Sequence, residues 1–317
     1  MSLPSIHLLK SSKGQAVILY LLILIIGMTI VLTVASRVIT DIRITTTSDE
    51  SNRAYFAAEA GVEEALRRLQ QNPAGSSSFG LDFTSLNNSK AQAKINNVCD
   101  PSASCNSFVY PSRIDKDVVV QVSFLNDFSN PGSGTPLPGN RQVRFYWGAA
   151  STPVGVNTPA LVVSALYYDG VNYQIRKYSF DPVAARRASN GLCSNLTSGA
   201  FGVNDTIMGT GITENLHYRV TIDLDNNTAC RPGVTIAGSG AAPLLARIKL
   251  LYNPDPEPVA VVVLSGRLPS QGSVITSVGE STGHVTRRIR TVRLYDVLPA
   301  MFDYVLFNGS TSADLLK

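Results

Sequence analysis

The stretch AVILYLLILIIGMTIVLTVAS, residues 16–36, decides the fold class of this chain, because none of its side chains is charged. It is about 21 residues long, and an α-helix of that length spans a hydrocarbon core of about 30 Å. A secretory signal peptide would have a shorter apolar run, followed by a small-x-small cleavage site and a change of character. The stretch therefore predicts one membrane-spanning helix near the N-terminus.

The helical pattern continues beyond this stretch, over residues 37–71. Its apolar side chains recur at three- and four-residue intervals and predict a buried stripe: Tyr55, Ala58, Val62, Ala65, Leu66 and Leu69. Pro73 predicts the end of the helix. One helix over residues 15–71, about 85 Å long, is therefore expected. Residues 45–48 (TTTS) lower the helix propensity and are the expected site of a kink or a melted stretch.

The rest of the sequence, residues 72–317, has the composition of a β-rich body. The whole chain is 16% charged and 44% hydrophobic, and it contains many Gly, Pro, Ser, Thr and Asn residues. Its formal net charge of +4 is too weak a field to favour nucleic acid or an acidic partner. Its length allows one large domain or two modest ones beside the membrane segment.

Short β-type runs broken by turn residues follow the long helix. The clearest is residues 217–224, in which apolar and polar side chains alternate as in a half-buried antiparallel strand. Further strands are predicted at residues 117–125, 142–147, 161–168, 173–180, 244–252, 259–264, 273–278 and 285–295. Residues 129–140 and 151–159 are rich in Pro, Gly and Ser and are expected to form exposed loops. The predicted fold class is α+β, with the long helix packed on a head of mainly antiparallel strands.

Four cysteines are present, and none has the CxxC spacing of a zinc knuckle or a thioredoxin-type site: Cys99, Cys105, Cys193 and Cys230. The membrane segment places the body outside the reducing cytoplasm, so two disulfides are expected. Pairing between nearest neighbours would join Cys99 to Cys105 and Cys193 to Cys230. Three connectivities are open, and the sequence does not choose between them.

The start of the chain is a short basic leader that ends in Lys13-Gly14, after which residues 15–19 (QAVIL) open the apolar helix. This arrangement resembles the type IV pilins and pseudopilins. In addition, residues 51–61 (SNRAYFAAEAG) are similar to the A-x-x-A-A-E-A-G segment of the PilX-type minor pilins. The resemblance implies that a prepilin peptidase cuts between Gly14 and Gln15 on the cytoplasmic side and methylates the new N-terminus.

The resemblance also implies a domain organisation and a location. Residues 1–14 would be the leader, residues 15–71 the stalk helix, and residues 72–317 an extracytoplasmic head, with subdomains divided near 129–159. The chain would cross the bacterial inner membrane once, with its N-terminus in the cytoplasm, and would then enter a pilus at the cell surface. Cations flank the apolar stretch on both sides, so the orientation depends on the disulfide-compatible body. The implied partners are other pilins, the prepilin peptidase, the inner-membrane assembly platform and the lipid bilayer.

The fifth residue after the implied cleavage site, Leu19, departs from the family pattern. Most major pilins have Glu at this position, and its carboxylate is thought to pair with the N-terminal amine of a neighbouring subunit. A carboxylate in hydrocarbon is costly unless it finds such a partner. Its absence favours a minor, initiating or tip-located subunit over the bulk filament subunit.

The sequence offers little for catalysis. Histidine occurs only as His7, His217 and His284, and no nucleophile elbow, P-loop or metal-spaced histidine pair is present. No enzymatic activity and no cofactor are expected. A weak calcium candidate consists of Asp223, Asp225 and Asn227, but the standard loop would need Gly and Glu where Thr228 and Val234 stand, so a polar turn after a strand is the preferred interpretation. No metal site is predicted.

The densest basic run contains four arginines: Arg287, Arg288, Arg290 and Arg293. Such side chains can contact DNA phosphates. They lack regular aromatic partners for stacking, so a solvated strand face is the preferred interpretation. The pair Arg186-Arg187 is interpreted in the same way.

Three other functions stay open beside that of a minor pilin. One is a pilus-displayed adhesin or DNA-uptake subunit whose head binds a host surface or DNA. The others are a pseudopilin of a type II secretion-like system and a single-pass membrane protein that is never assembled. The sequence does not give the copy number, the position in a filament or the ligand of the head.

Overall fold

The long helix is present over its full predicted length. A computed structural model describes residues 15–72, 76–99, 105–125, 141–152, 154–190, 201–209, 211–224 and 242–297. Its first element is α1, a helix of 57 residues that spans Gln15–Gln71. The helix is unbroken at residues 45–48, where the side-chain hydroxyls of Thr45 and Thr46 donate to backbone carbonyls four residues earlier, both at 2.8 Å. These hydroxyls are therefore satisfied within the helix, and the stretch is helical and not melted. A kink at these residues stays a prediction.

The described residues after α1 form strands and two short helices. The elements are β1 (Ser77–Asp82), α2 (Thr84–Asn87), β2 (Ser89–Val98), β3 (Ser107–Val109), β4 (Val119–Ser123), β5 (Gln142–Ala149), β6 (Ala160–Tyr168), β7 (Tyr173–Phe180), α3 (Ala184–Asn190), β8 (Phe201–Gly209), β9 (Ile212–Asp223), β10 (Ala242–Leu251), β11 (Val259–Val263), β12 (Gly272–Ser281) and β13 (Thr286–Leu294). All nine predicted strands are present, whereas β1, β2, β3 and β8 were not predicted. The α+β class is therefore confirmed.

The strands form three sheets with the orders β1-β2-β12-β13, β4-β10-β6-β7 and β3-β11-β5-β9-β8. Strand pairing within the second and third sheets is antiparallel. These two sheets contribute side chains to one core, in which Phe145, Trp147 and Val163 are fully buried. The other face of β5 carries Tyr146, which packs in a second cluster with Leu216. Thus β5 is buried on both faces, and the head has a sandwich-like core.

The chain divides into two compact units that are not continuous in sequence. The first contains Met1–Gly61, Gly80–Gln92 and Ser277–Ile289, and the second contains Val62–Phe79, Ala93–Thr276 and Arg290–Lys317. Residues 129–159 lie within the second unit, and a division of the head at that point stays a prediction.

The buried stripe of α1 differs from the predicted one. In the first unit its buried members are small residues, namely Ala54, Ala57, Ala58 and Gly61. Tyr55 was expected in the stripe, but its side chain is 47% exposed, so this prediction is wrong. A large ring has no room on this side, because the helix approaches the backbone of a strand too closely, as described below.

In the second unit the stripe follows the prediction. Ala65 and Leu69 are buried and form a cluster with Ile95 on β2 and Ile275 on β12. Val62 and Leu66 pack against this cluster and are partly buried.

Candidate functional site

The first half of α1 is exposed on every side. Every side chain from residue 16 to residue 49 is exposed, including Leu19 at 62% and Tyr20 at 70%. It is the one helix among the described residues that is long and apolar enough to cross a membrane, and the most apolar part of it is not buried by the rest of the chain. An apolar surface that continues around the whole helix is stable only in lipid or against other apolar helices.

The threonine hydroxyls of the uncharged stretch are satisfied within the helix. The hydroxyl of Thr29 donates to the carbonyl of Ile26 at 2.8 Å, and that of Thr33 donates to the carbonyl of Thr29 at 2.7 Å. Such internal bonds are what hydrocarbon requires, because no water is there to replace them. These two hydroxyls therefore leave no unmet hydrogen-bond donor toward lipid or a neighbouring helix.

The predicted processing and assembly positions lie at the start of this segment. Gly14 is outside the described residues, and Gln15 is the first residue of α1. Leu19 follows one turn later and points into the surroundings of the helix. Contacts of this end with another helix would therefore be van der Waals contacts between apolar groups.

The second half of α1 lies against the chain's own strands, at very short range. A Cβ atom built on Gly279 of β12 would be 1.9 Å from the carbonyl oxygen of Ala54 and 2.6 Å from the backbone nitrogen of Ala58. A Cβ atom built on Gly61 would be 2.2 Å from the hydroxyl oxygen of Ser277. Glycine is therefore required at position 279, where the close atoms belong to the backbone of α1, whereas at position 61 the close atom is a side-chain hydroxyl.

Sequence reasoning missed this contact, although a signal for it exists. Residues 277, 279 and 281 of β12 are Ser, Gly and Ser at the two-residue period of one strand face. Ala54, Ala58 and Gly61 have the period of one helix face. Two matched runs of small residues would have indicated a close helix–strand contact.

Polar contacts fix the same part of α1 to the hairpin between β12 and β13. The backbone nitrogen of Gly283 donates to the carboxylate of Glu50 at 3.3 Å. A hydrogen bond from Ser281, together with this backbone donor and the nearby Arg53, holds the pKa of Glu50 below its ordinary value. The guanidinium of Arg287 donates to the hydroxyl of Ser51 at 2.8 Å. The helix is therefore anchored by charge as well as by packing.

The four arginines predicted as a basic run all lie on β13. Arg287, Arg288 and Arg290 are exposed, and Arg293 is half-buried. Successive side chains of a strand point to opposite faces, so Arg287 and Arg288 diverge, as do Arg290 and Arg293. The strand therefore does not place all four on one surface.

The pair Arg186-Arg187 serves the fold of the second unit. The guanidinium of Arg186 donates to both carboxylate oxygens of the fully buried Asp181, each at 2.9 Å. It also donates to the carbonyls of Val156 and Thr158, both at 2.7 Å. Arg187 donates to the carbonyl of Asp181 at 2.7 Å.

Residues 151–159 were predicted to form an exposed loop, and this is only partly correct, because Arg186 bonds to the carbonyls of Val156 and Thr158. Residues 154–157 are exposed, but Thr158 and Pro159 are buried. The base of the loop is held by Arg186 and by Glu257, whose carboxylate accepts from the backbone of Ala149 and the hydroxyl of Thr152, both at 2.8 Å. A buried carboxylate with these donors explains why the loop base folds inward.

The remaining predicted sites are described only in part. Cys99 and Cys105 form a disulfide, as one of the predicted pairings requires, whereas Cys193 and Cys230 lie outside the described residues. Asp223 is the last residue of β9, and its proposed calcium partners, Asp225 and Asn227, are outside the described residues. Within the part of the chain that the structure describes, no group of three or more His, Cys, Asp or Glu side chains can hold a metal.

The two parts of α1 differ in what they contact. Residues 16–49 are exposed and mostly apolar, whereas the helix beyond them has one side buried against the chain's own strands. Comparison with protein families, curated proteins and solved structures gives no match for this chain. A functional assignment therefore depends on the residues and contacts described above.

Proposed function

We propose that this chain is a minor subunit of a type IV pilus, a structural and non-catalytic protein that takes part in pilus assembly at or near the filament tip. The observation that carries the proposal is the exposure of residues 16–49 on all sides, in a helix whose other end is fixed to its own head. Such a helix serves first as a membrane anchor and then as the part that packs against sister helices.

The leader supports this assignment. A short basic leader that ends in Lys13-Gly14 precedes the apolar helix, and this arrangement resembles that of the type IV pilins. Cleavage between Gly14 and Gln15 by a prepilin peptidase leaves the apolar segment in the mature protein. The product is a subunit that stays in the inner membrane until it is assembled.

The physical chemistry of assembly is compatible with this surface. Lipid tails and apolar side chains are equally nonpolar, so a helix that moves from lipid into a bundle exchanges one set of van der Waals contacts for another. No charge has to be moved, because residues 16–36 carry none. The assembly platform would then have to supply only the work of pulling the uncharged helix out of the lipid.

Leu19 supports a minor or terminal position. A subunit in the middle of a filament benefits from a carboxylate that pairs with the N-terminal amine of its neighbour. Leu19 cannot make that pair, and its exposed side chain offers packing alone. A subunit that initiates the filament or caps it has no need of the pair.

The disulfide and the leader support the proposed orientation. A Cys99–Cys105 disulfide is typical of an oxidising compartment, and this supports a head outside the cytoplasm. The N-terminus is then cytoplasmic, and the chain crosses the inner membrane once.

The proposal is tested by deleting the chain and by measuring its abundance in sheared filaments with quantitative mass spectrometry. We expect the deletion strain to bear fewer surface pili and the wild-type filaments to contain this chain as a small fraction of the main subunit. A dominant share in the filament would overturn the minor role. Unchanged piliation together with absence from the filaments would overturn the pilus assignment in favour of an unassembled membrane anchor.

A further inference from the structure

A shallow groove on the first unit lies beside α1, just beyond its apolar segment. It has a volume of about 390 Å³ and is lined by Arg43, Ile44, Thr47, Ser48, Ser51 and Arg287. Arg43, Thr47 and Ser51 have the four-residue spacing of one helix face. The guanidinium of Arg287 reaches this face from β13 and donates to the hydroxyl of Ser51 at 2.8 Å. The groove is therefore an open channel along about two turns of the helix, with β13 as its second wall.

The groove lies beyond the surface of a bilayer that residues 16–36 would span. In a helix, Arg43 is about 10 Å and Ser51 about 22 Å past Ser36, the last residue of the uncharged stretch. The polar headgroup layer adds only about 5–7 Å to each side of the hydrocarbon core. The groove is therefore in water, and its occupant is a protein or a solute, not a lipid.

The groove carries positive charge that the described part of the chain does not neutralise. Within those residues Arg43 makes no ion pair, and the side-chain bond of Arg287 goes to the uncharged Ser51. Asp49 and Glu50, the next carboxylates along α1, are bound elsewhere and do not line the groove. A surface with uncompensated guanidinium groups selects an acidic partner, because each carboxylate that approaches gains a charge-assisted hydrogen bond.

The spacing of the two cations fits an α-helix better than a small anion. Arg43 and Ser51, where the guanidinium of Arg287 is bound, are about 12 Å apart along the axis of α1. A single carboxylate or phosphate at one of these levels would leave the other cation without a partner. A helix that runs beside α1 passes both levels, and two carboxylates about seven or eight residues apart on one face of it have the same separation.

The groove also continues the proposed helix-packing surface. Residues 16–36 are exposed on all sides, and a sister helix that packs along them reaches the level of Arg43 after about 10 Å more. Thr47, Ser48 and Ser51 have short side chains, and residues of this size permit close approach of two helices and hydrogen bonds between them. A neighbouring subunit's helix is therefore the occupant that both the charge and the position favour.

We propose that this groove binds the acidic side of the stalk helix of a neighbouring subunit, with one carboxylate on Arg43 and a second, about two turns further along, on Arg287. This inference rests on the proposed assembly of the chain into a pilus. Apolar packing alone leaves the axial position of a helix loosely defined, and Leu19 offers no charged contact at the other end of the exposed segment. The two arginine pairs therefore set the axial register between this subunit and its neighbour, outside the membrane.

The first test uses the intact piliated strain and measures the amount of this chain per main pilus subunit in sheared filaments by quantitative mass spectrometry. Arg43→Glu and Arg287→Glu are compared with Arg288→Glu, a matched control that changes an exposed arginine of β13 outside the groove. Each of the first two variants should lower the share of this chain in filaments at least about fivefold, because like charges then face each other. The control should change it less than about twofold, and the amount of chain in the membrane should stay constant in all three.

The second test identifies the partner. The photoreactive amino acid p-benzoylphenylalanine in place of Ser48, which lines the groove, should cross-link in living cells to a helical segment of another pilus subunit that contains Asp or Glu. Thr46 is the control position, because residues two apart in a helix lie on different sides at nearly the same height. Changing the acidic residue next to the cross-link to Lys should restore Arg43→Glu to at least about half of the wild-type share in filaments.

The outcomes separate this proposal from the pilus assignment. Normal incorporation of the wild-type chain with an unchanged share for the Arg43→Glu/Arg287→Glu double variant would overturn the groove proposal alone, whereas absence of the wild-type chain from filaments would overturn both. An equal loss in Arg288→Glu, a cross-link only to lipid or to a second copy of this chain, or a failed rescue would each overturn the groove proposal as well. Arg43→Gln and Arg287→Gln replace any glutamate variant that does not accumulate in the membrane, and a loss of about twofold to fivefold is then expected.

Discussion

Gly279 of β12 lies so close to Ala54 of α1 that a methyl group on the glycine would come within 1.9 Å of the alanine carbonyl oxygen. The contact joins backbone to backbone, and neither partner has a flexible side chain that can move aside. It belongs to the part of the helix that is fixed to its own strands, immediately after the segment that is exposed on all sides. The part of α1 next to the exposed segment is therefore held against β12 by a contact that requires Gly279.

The first prediction concerns this glycine. Gly279→Ala should lower the free energy of unfolding by about 1–3 kcal/mol, because the added methyl overpacks a contact that cannot relax. Gly80→Ala is the matched control, since its Cβ would be 3.7 Å from the nearest atom, the carbonyl oxygen of Ala91. Denaturant unfolding of the full chain in detergent measures both. Equal stability of the two variants would show that the helix does not lie this close to the strand.

A second prediction concerns the next contact along the helix, between Gly61 and Ser277. The hydroxyl of Ser277 is buried and has no hydrogen-bond partner among the described residues. Ser277→Ala should therefore leave the free energy of unfolding unchanged or raise it by about 1 kcal/mol, because an unpaired polar group is removed.

Gly61→Ala should destabilise the wild-type chain, because its Cβ would be 2.2 Å from that hydroxyl oxygen. The same change should cost less in the Ser277→Ala background, where the clashing atom is absent. A double-mutant cycle is expected to give a coupling free energy of about 1 kcal/mol or more. Additive effects would mean that the two residues do not touch.

A third prediction tests the buried ion pair of the head. Arg186→Ala should lower the free energy of unfolding by about 3–5 kcal/mol, because it leaves the buried carboxylate of Asp181 without its main partner. Arg113→Ala, which removes the exposed partner of Glu214 at 3.8 Å, should change it by less than about 1 kcal/mol. Comparable losses in the two variants would argue against the burial of Asp181.

A fourth prediction concerns the dependence of stability on pH. Hydrogen bonds from Arg67 and Arg68 lower the pKa of Glu64 from its ordinary value of 4.5 to about 2. The stability that this carboxylate contributes is fully present above the ordinary value and is lost as the pH falls through the lowered one. Glu64→Gln should therefore reduce the loss of stability between about pH 6 and about pH 2.

The control for this prediction is Glu63→Gln, at an exposed neighbouring position whose side chain has no ion pair in the described structure. Thermal unfolding followed by circular dichroism at several pH values gives the comparison. Identical pH profiles for wild type and Glu64→Gln would contradict the role of the two arginines.

The sequence predicted the long helix with its observed bounds because its two determinants are local. An uncharged stretch of membrane length starts it, and Pro73 cannot continue it. The strands with bulky alternating side chains were predicted for the same reason, as in β9, where Leu216, Tyr218, Val220 and Ile222 are buried.

Other features depend on contacts that hydrophobic periodicity does not measure. On β2 the buried positions include Ser89, Ala91 and Ala93, which carry little apolar area, so the strand was missed. Tyr55 was assigned to the buried stripe because of the three- and four-residue spacing of its apolar neighbours, whereas the short distance to β12 selects alanine and glycine for the buried side. The sequence likewise did not show that Arg186 folds back on Asp181, since this pair depends on the burial of the carboxylate.

In the candidate site, the exposed apolar part of α1 was predictable from the sequence. For the part of α1 that packs on the strands, the sequence predicted a buried stripe but not all of its members.

The most direct test of the account is the mass of the N-terminal peptide of the native product, recovered from membranes and from sheared filaments. We predict a peptide that begins at Gln15, carries an N-terminal methyl group and is present in both fractions, and we expect Gly14→Lys to retain the leader and to be missing from the filaments. A native product that begins beyond residue 36, or one found in solution and never in filaments, would contradict the claim that the apolar helix is kept and packs into a pilus.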